Sequence, residues 1–332
     1  MPTISVSGRR QLRPLFPNRL VKLRRRLAEF FFPCRSDNWL TILRVGLGLQ
    51  VVLYCLSLRK DWNQLLGGSG TGLINRDLME AILVARSPLV PRLGWLVTIG
   101  NHFGLSEGVV LSAAWIGLVC AGSCLVLGLF CRSAAIVAWF LYLCAVKSGN
   151  LLTYGVDNFT TIGLFYLMLA PFPDRYALDR KLWNSPIKDR RLHGFFRRVL
   201  QLHLCLIYFF SGLAKCLGNG WWNGENMWRA LTRPPFNVVP VHIVISWQAL
   251  LPLAGIVVWT LEMGYPFLIW PRKTRAIWLV GVLAMHVAIG LTMGLYLFAL
   301  IMIILNVAAF GSDLTFGRTR SLPVSPASIN DA

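Results

Sequence analysis

Acidic residues are scarce in this sequence of 332 residues: 14 Asp and Glu stand against 33 Lys and Arg, a formal net charge of +19. Charge of either sign is thin as well, at 14% of the chain, where a water-soluble domain carries about 25%. Apolar residues make up 55% and mean hydropathy is +0.58. Those values exclude a soluble globular domain, and intrinsic disorder with it. The eight cysteines (Cys34, Cys55, Cys120, Cys124, Cys131, Cys144, Cys205 and Cys216) include no Cys-x-x-Cys pair. They read as small apolar packing residues, and no metal, haem or disulfide framework is expected. The run Gly67-Gly68-Ser69-Gly70-Thr71-Gly72 lacks the Gly-Lys-Ser/Thr ending of a phosphate-binding loop and reads as a flexible turn. Before Arg35 there is no apolar core of a secretory signal, and no internal repeat is visible.

Long hydrophobic runs are what the chain has in abundance. A hydrocarbon core about 30 Å thick asks for about 20 mostly apolar residues per crossing, and unpaired backbone groups in lipid force such runs to be helices. Eight runs qualify: Trp39–Leu58, Gly108–Leu129, Ser133–Val146, Tyr154–Pro171, Val199–Leu217, Ile243–Trp270, Ala276–Met293 and Gly294–Gly311. The expected fold is an all-α integral membrane protein, a polytopic bundle of about eight transmembrane helices. Pro252 should tilt or kink the long sixth run. Only Thr292-Met293-Gly294 parts the last two runs, which leaves seven helices as the alternative count.

Basic residues alternate between the two sides. With eight crossings, 23 of the 33 fall on the side of the termini, nine of them in the first 36 residues. The positive-inside rule then puts both termini in the cytoplasm. The chain divides into a basic tail (1–36), a membrane domain (37–311) and a flexible cytoplasmic tail (312–332). Since the basic residues flank membrane segments, the lipid bilayer and its anionic headgroups account for them, and nucleic acid is not the expected partner. Outside the membrane, 88–102 should form a short surface helix, and Trp221–Phe236 an amphipathic interfacial one.

Ionisable groups inside a membrane each call for a reason. There are six: Arg44, Asp157, His203, Lys215, Glu262 and His286. A rise of about 1.5 Å per residue puts Arg44, His203, Glu262 and His286 at about 8, 6, 12 and 16 Å from the cytoplasmic ends of their helices. Asp157 and Lys215 lie at about 21 and 24 Å. Two layers are expected: an inner one pairing Arg44 with Glu262, with a histidine as neighbour, and an outer one pairing Asp157 with Lys215. Either can be helix-joining ion pairs and nothing more. The outer layer carries the sharper reading, because Tyr208, Ser211, Gly212 and Lys215 share one helical face. Desolvation could make Lys215 a base, and a nearby carboxylate would oppose it.

The stretch from Tyr208 through Ser211, Gly212 and Lys215 to Trp221, Trp222 and Gly224 resembles the Tyr-x-x-x-Gly-x-x-Lys…Trp-x-x-Gly segment of the HTTM (horizontally transferred transmembrane) domain family. That family includes the vitamin K-dependent gamma-carboxylases and many bacterial membrane proteins. Leu43-Arg44-Val45-Gly46, Tyr154-Gly155-Val156-Asp157-Asn158, Leu261-Glu262-Met263-Gly264-Tyr265-Pro266, His286, Phe298 and Asn306 fit in order. The resemblance covers about residues 38–311 and implies a carboxylase-like or quinol-dependent enzyme of the bacterial cytoplasmic membrane. Lys215 would be the base that deprotonates a lipid-soluble quinol, with Asp157 and Tyr208 beside it. Arg44, Glu262, His286, His203, Trp221 and Trp222 would serve in binding or ion pairing. The pocket is expected between the fourth and fifth helices and the Trp221–Phe236 segment. The chain ends about twenty residues after its last run, so carboxylation of a protein substrate is not expected from it alone. The alternatives are a non-enzymatic helper in maturation of a small peptide or toxin, and a small-solute transporter.

Overall fold

The computed structural model describes residues 18–34, 36–68, 75–149, 153–184, 186 and 189–312. Expectations for residues 1–17, for 69–72 of the glycine run and for the tail after Ser312 lie outside the described residues. Among the described residues every regular element is helical.

An amphipathic helix, α1 (Asn18–Phe31), precedes α2 (Asn38–Ser57). Short helices α3 (Trp62–Leu66), α4 (Arg76–Arg86) and α5 (Leu93–His102) form a cap on the far side. Then come α6 (Glu107–Leu127), α7 (Cys131–Ser148), α8 (Gly155–Leu169), the short α9 (Leu178–Leu182) and the long α10 (Arg190–Cys216). A second short group, α11 (Glu225–Thr232) and α12 (Val241–Ser246), leads to α13 (Leu251–Leu268), α14 (Arg272–Met293) and α15 (Tyr296–Asn306). The last continues as a π-helical turn, Val307–Gly311.

Six helices are long and apolar enough to cross a membrane: α2, α6, α7, α10, α14 and the stretch Gln248–Leu268 that contains α13. At 15 residues α8 is shorter, as is the apolar stretch Tyr296–Gly311. The chain is therefore a multi-pass integral membrane protein.

Two runs differ from expectation in an instructive way. The sixth is not one long helix. It breaks at Trp247–Leu250 between α12 and α13, so Pro252 lies in the first turn of α13 and kinks nothing. A proline there loses no hydrogen bond, because that N–H would have no partner in the helix anyway. The fifth run starts nine residues earlier, at Arg190, because the basic segment before Val199 continues the same helix. The bend between the last two runs is real: Gly294 has φ +70°, which a side chain resists.

The core assembles as two groups that share α15. In the first, α2 packs on α6, α8 and α15, with α7 against α6 and α8. Close approach is built into α2 and α6: a Cβ at Gly48 would stand 2.7 Å from the Gly122 carbonyl oxygen. In the second group α10 packs on α13, and α14 joins α13 to α15. The turn from α6 to α7 is tight. Gly128 (φ +79°) ends α6, and Asp179 accepts from the Phe130 and Cys131 amides at 2.6 and 2.7 Å to start α7. In the far-side cap, Arg76 donates to Glu107 at 2.6 Å, and Glu80 accepts from Ser148 Oγ at 2.5 Å and Gly94 N at 3.0 Å. Those bonds tie α4 and α5 to α6 and α7.

Candidate functional site

Lys215 stands in the last turn of α10, where a cation is favoured by the helix dipole. Gly212, one turn earlier, lets α13 come close: a Cβ there would meet Met263 Cγ at 2.8 Å and Met263 N at 2.9 Å. That contact brings the Lys215 ammonium to Glu262 on α13. Nζ donates to Glu262 Oε2 at 2.6 Å and to Ser211 Oγ at 2.8 Å, and lies 4.9 Å from the centre of the Trp221 ring. The two side chains are 14% and 9% exposed, so the pair is largely withdrawn from solvent but not sealed.

One turn further down α10, Tyr208 heads a buried polar chain. Asn306 on α15 sets its direction. Its amide nitrogen donates to the Met302 carbonyl at 2.8 Å, which can only accept, so Nδ2 and Oδ1 are assigned. Nδ2 also donates to the Tyr208 hydroxyl at 2.8 Å, while Oδ1 accepts from the Tyr265 hydroxyl at 2.7 Å. The Tyr208 hydroxyl also hydrogen-bonds His286 Nε2 at 2.7 Å. The other ring nitrogen of His286, Nδ1, is buried and has no protein partner. Tyr208 and Tyr265 also stack, with centroids 4.1 Å apart, which locks α10 on α13 at this level.

The remaining sequence-derived candidates fall elsewhere. Asp157 does not pair with Lys215. It accepts from the Tyr154 amide at 3.0 Å, closing the first turn of its own helix α8, and from the Tyr142 hydroxyl at 3.0 Å. Arg44 does not pair with Glu262 either. Its guanidinium donates to Asp174 at 2.6 Å and to the Leu125 carbonyl at 2.5 Å, with Thr41 Oγ1 donating to the same carboxylate at 2.6 Å. His203 Nδ1 lies 2.7 Å from the Tyr166 hydroxyl, joining α10 to α8 away from the lysine. Trp222 donates from Nε1 to the Cys216 carbonyl at 3.3 Å and packs against Trp259. Of the nine candidates, the structure brings together Lys215, Glu262, Tyr208, His286 and Trp221. Arg44, Asp157, His203 and Trp222 have separate structural partners.

The register of α10 against α13, set by Gly212 on Met263, explains the exchange of partners. Side chains lean toward the N-terminus of their helix. Because α10 and α13 are antiparallel, Lys215 leans toward the start of α10 and Glu262 toward the start of α13. The backbone offset left to bridge is only about two residues, roughly 3 Å, because Gly212 lies against Met263. The gap of about 12 Å came from counting each depth from the end of its hydrophobic run, and the helices do not end there. Asp174 was missed because it lies just past the fourth hydrophobic run, in a loop that folds back until the residue is fully buried. Asn306 and Tyr265 entered only through the resemblance. As a neutral amide in the apolar run Tyr296–Asn306, Asn306 could have been found by surveying neutral polar residues as well as charges.

Of the elements expected around Lys215, the Trp221–Phe236 segment contributes and α8 does not. The partners of Lys215 come from α13 and Trp221, with none from α8. The nearby open groove, about 330 Å³, is lined by Asn223, Gly224, Glu225, Trp228, Gln248 and Leu251. No protein-family model, curated protein or solved structure matches the chain.

Proposed function

We propose that the chain is an HTTM-type enzyme of the bacterial cytoplasmic membrane, in which the Lys215–Glu262 pair handles the proton of a lipid-soluble, quinol-type substrate. The observation that carries this reading is the 2.6 Å contact between a lysine and a carboxylate, set inside a helical bundle and beside a buried imidazole. Passage of an Nζ proton to Glu262 Oε2 leaves a neutral amine and a neutral acid, and the amine can then take a proton from a hydroxyl group. Ser211 and the Trp221 face hold Nζ in place during that exchange. Asp157 has no part in it.

The residues fit such a ligand on one observation. His286 Nδ1 is a buried ring nitrogen without a protein partner, and buried polar groups are normally satisfied. A quinol supplies two electrons and two protons when bound. His286 would hold one of its oxygens, and Lys215 with Glu262 would take up the proton.

Eight crossings with both termini in the cytoplasm are part of the proposal. Arg198 on α10 meets Phe30 of α1 and Trp270 after α13, and Arg197 reaches the Ala309 carbonyl of the π-turn at 2.9 Å. The starts of α10 and α2 and the ends of α13 and the π-turn therefore gather on one side. Passages through α8 and α15 would return the chain there, which supports the count of eight.

The test is mass spectrometry of lipids extracted from purified protein, comparing wild type with Lys215→Met/Glu262→Leu. A quinone enriched over bulk lipid in wild type, and at least ten-fold depleted in the folded double variant, supports the reading. Equal quinone in both discards it. A second reading, a helper that receives a small peptide, draws support from the open groove beside Glu225 and Trp228. Co-purification of a peptide without quinone would favour it.

A further inference from the structure

Helix α1 has a use that the ion-pair site does not explain. At 100° per residue, Val21, Leu23, Leu27, Phe30 and Phe31 fall on one half of its surface, and Lys22, Arg25, Arg26 and Glu29 on the other. Arg24 is the exception, set among the apolar residues. No protein covers most of that apolar half: Leu23 is 54% exposed and Leu27 50%. Contact with the bundle runs through the last turn and the residues after it. Arg198 Nε donates to the Phe30 carbonyl at 2.9 Å, its guanidinium lies over the rings of Phe30 and Trp270, and Phe32 stacks on Phe195. Before that turn the helix stands off α10, leaving an open cleft of about 670 Å³ whose walls include Arg25, Glu29, Asp189 and Arg191.

We infer that α1 is a membrane-surface binding element whose occupant is the anionic phospholipid leaflet on the N-terminal side of the bundle. Two observations choose lipid over a protein partner. First, the apolar half is continuous with the membrane boundary: Phe30, which belongs to it, packs 6.0 Å from Trp270 at the end of the α13 span, at the depth where indoles mark the interface. Second, the charge is complementary. Lys22, Arg24, Arg25 and Arg26 face a single Glu29 between residues 21 and 31, and that glutamate is already engaged by Arg25 at 2.9 Å. An apolar half that rests on acyl chains puts the basic half at the phosphates, and the stem of Arg24 is long enough to carry its head there from within the apolar side. Attached at one end by Arg198 and along its length by lipid, α1 ties the basic N-terminal segment to the membrane plane.

Hydrogen exchange of the peptide covering residues 21–31 tests this, using the full chain in nanodiscs of phosphatidylcholine alone or with added phosphatidylglycerol. Exchange should be at least ten-fold slower in the anionic discs, and 0.5 M salt should remove most of the difference. Removing charge with Lys22→Gln/Arg25→Gln/Arg26→Gln should erase the preference, by about five-fold per basic residue, as follows from roughly 1 kcal/mol for each near an anionic surface. Leu23→Glu/Leu27→Glu should expose the helix in both lipids while α10 and α13 stay protected. Equal protection in both kinds of disc, or protection unchanged in the triple variant, would mean that α1 is held by protein alone and would overturn the inference.

Discussion

Lys215 and Glu262 are each mostly withdrawn from solvent, so each is tolerable only while the other is present. Glu262→Gln should destabilise the folded state by about 3–5 kcal/mol, because it leaves an ammonium without its counter-charge. Lys215→Met/Glu262→Leu should sit much closer to wild type, since two apolar side chains of similar size replace the whole pair. Unfolding by graded denaturant in detergent measures both, and a double variant no better than the single one would show that the pair is not the unit proposed. A similar asymmetry applies to Asn306. Asn306→Leu strips the Tyr265 hydroxyl of its acceptor at a cost of about 1–3 kcal/mol, and adding Tyr265→Phe should recover part of that loss. The residue types here were readable from the chain, because any ionisable group in an apolar run stands out. Their partners were not readable, because each partner lies on another helix or, for Arg44, in a loop beyond the hydrophobic run.

Elements explain why the partners meet. On α10 the small residue Gly212 faces Met263, and the tyrosines at 208 and 265 stack one turn away. Gly212→Leu should force α10 from α13, cost about 1–3 kcal/mol as overpacking and separate Lys215 from Glu262. Cross-linking between cysteines placed on the two helices would report that separation, and unchanged cross-linking would contradict it. The shared face of Tyr208, Ser211, Gly212 and Lys215 follows from their spacing alone, and the structure uses that face as a unit against α13. What spacing does not tell is which neighbour the face meets. The expected neighbour was α8; the actual one is α13, which Gly212 lets approach through Met263. Periodicity likewise missed the break at Trp247–Leu250, since residues 243–250 are apolar enough to continue a run.

For the whole molecule, the gathering of α1, the start of α10 and the end of α13 on one side predicts how the protein is inserted. In a background where the other cysteines are alanine, Cys34 should react with an impermeant maleimide only from the cytoplasmic side. A cysteine at Glu225 should react only from the opposite side. Labelling of both from one side would refute the proposed count of eight crossings.

Composition and run length alone determined that this chain is a helical membrane protein, since apolar stretches of that length have no other stable form in lipid and water. They also marked which helix carries the lysine. Only the tertiary structure decided which carboxylate that lysine meets, what Arg44 and Asp157 are for, and that Asn306 organises two tyrosines and a histidine. Membrane insertion depends on each segment's own hydrophobicity, whereas ion pairs depend on how helices cross and lean, and those relations exist only once the segments are packed.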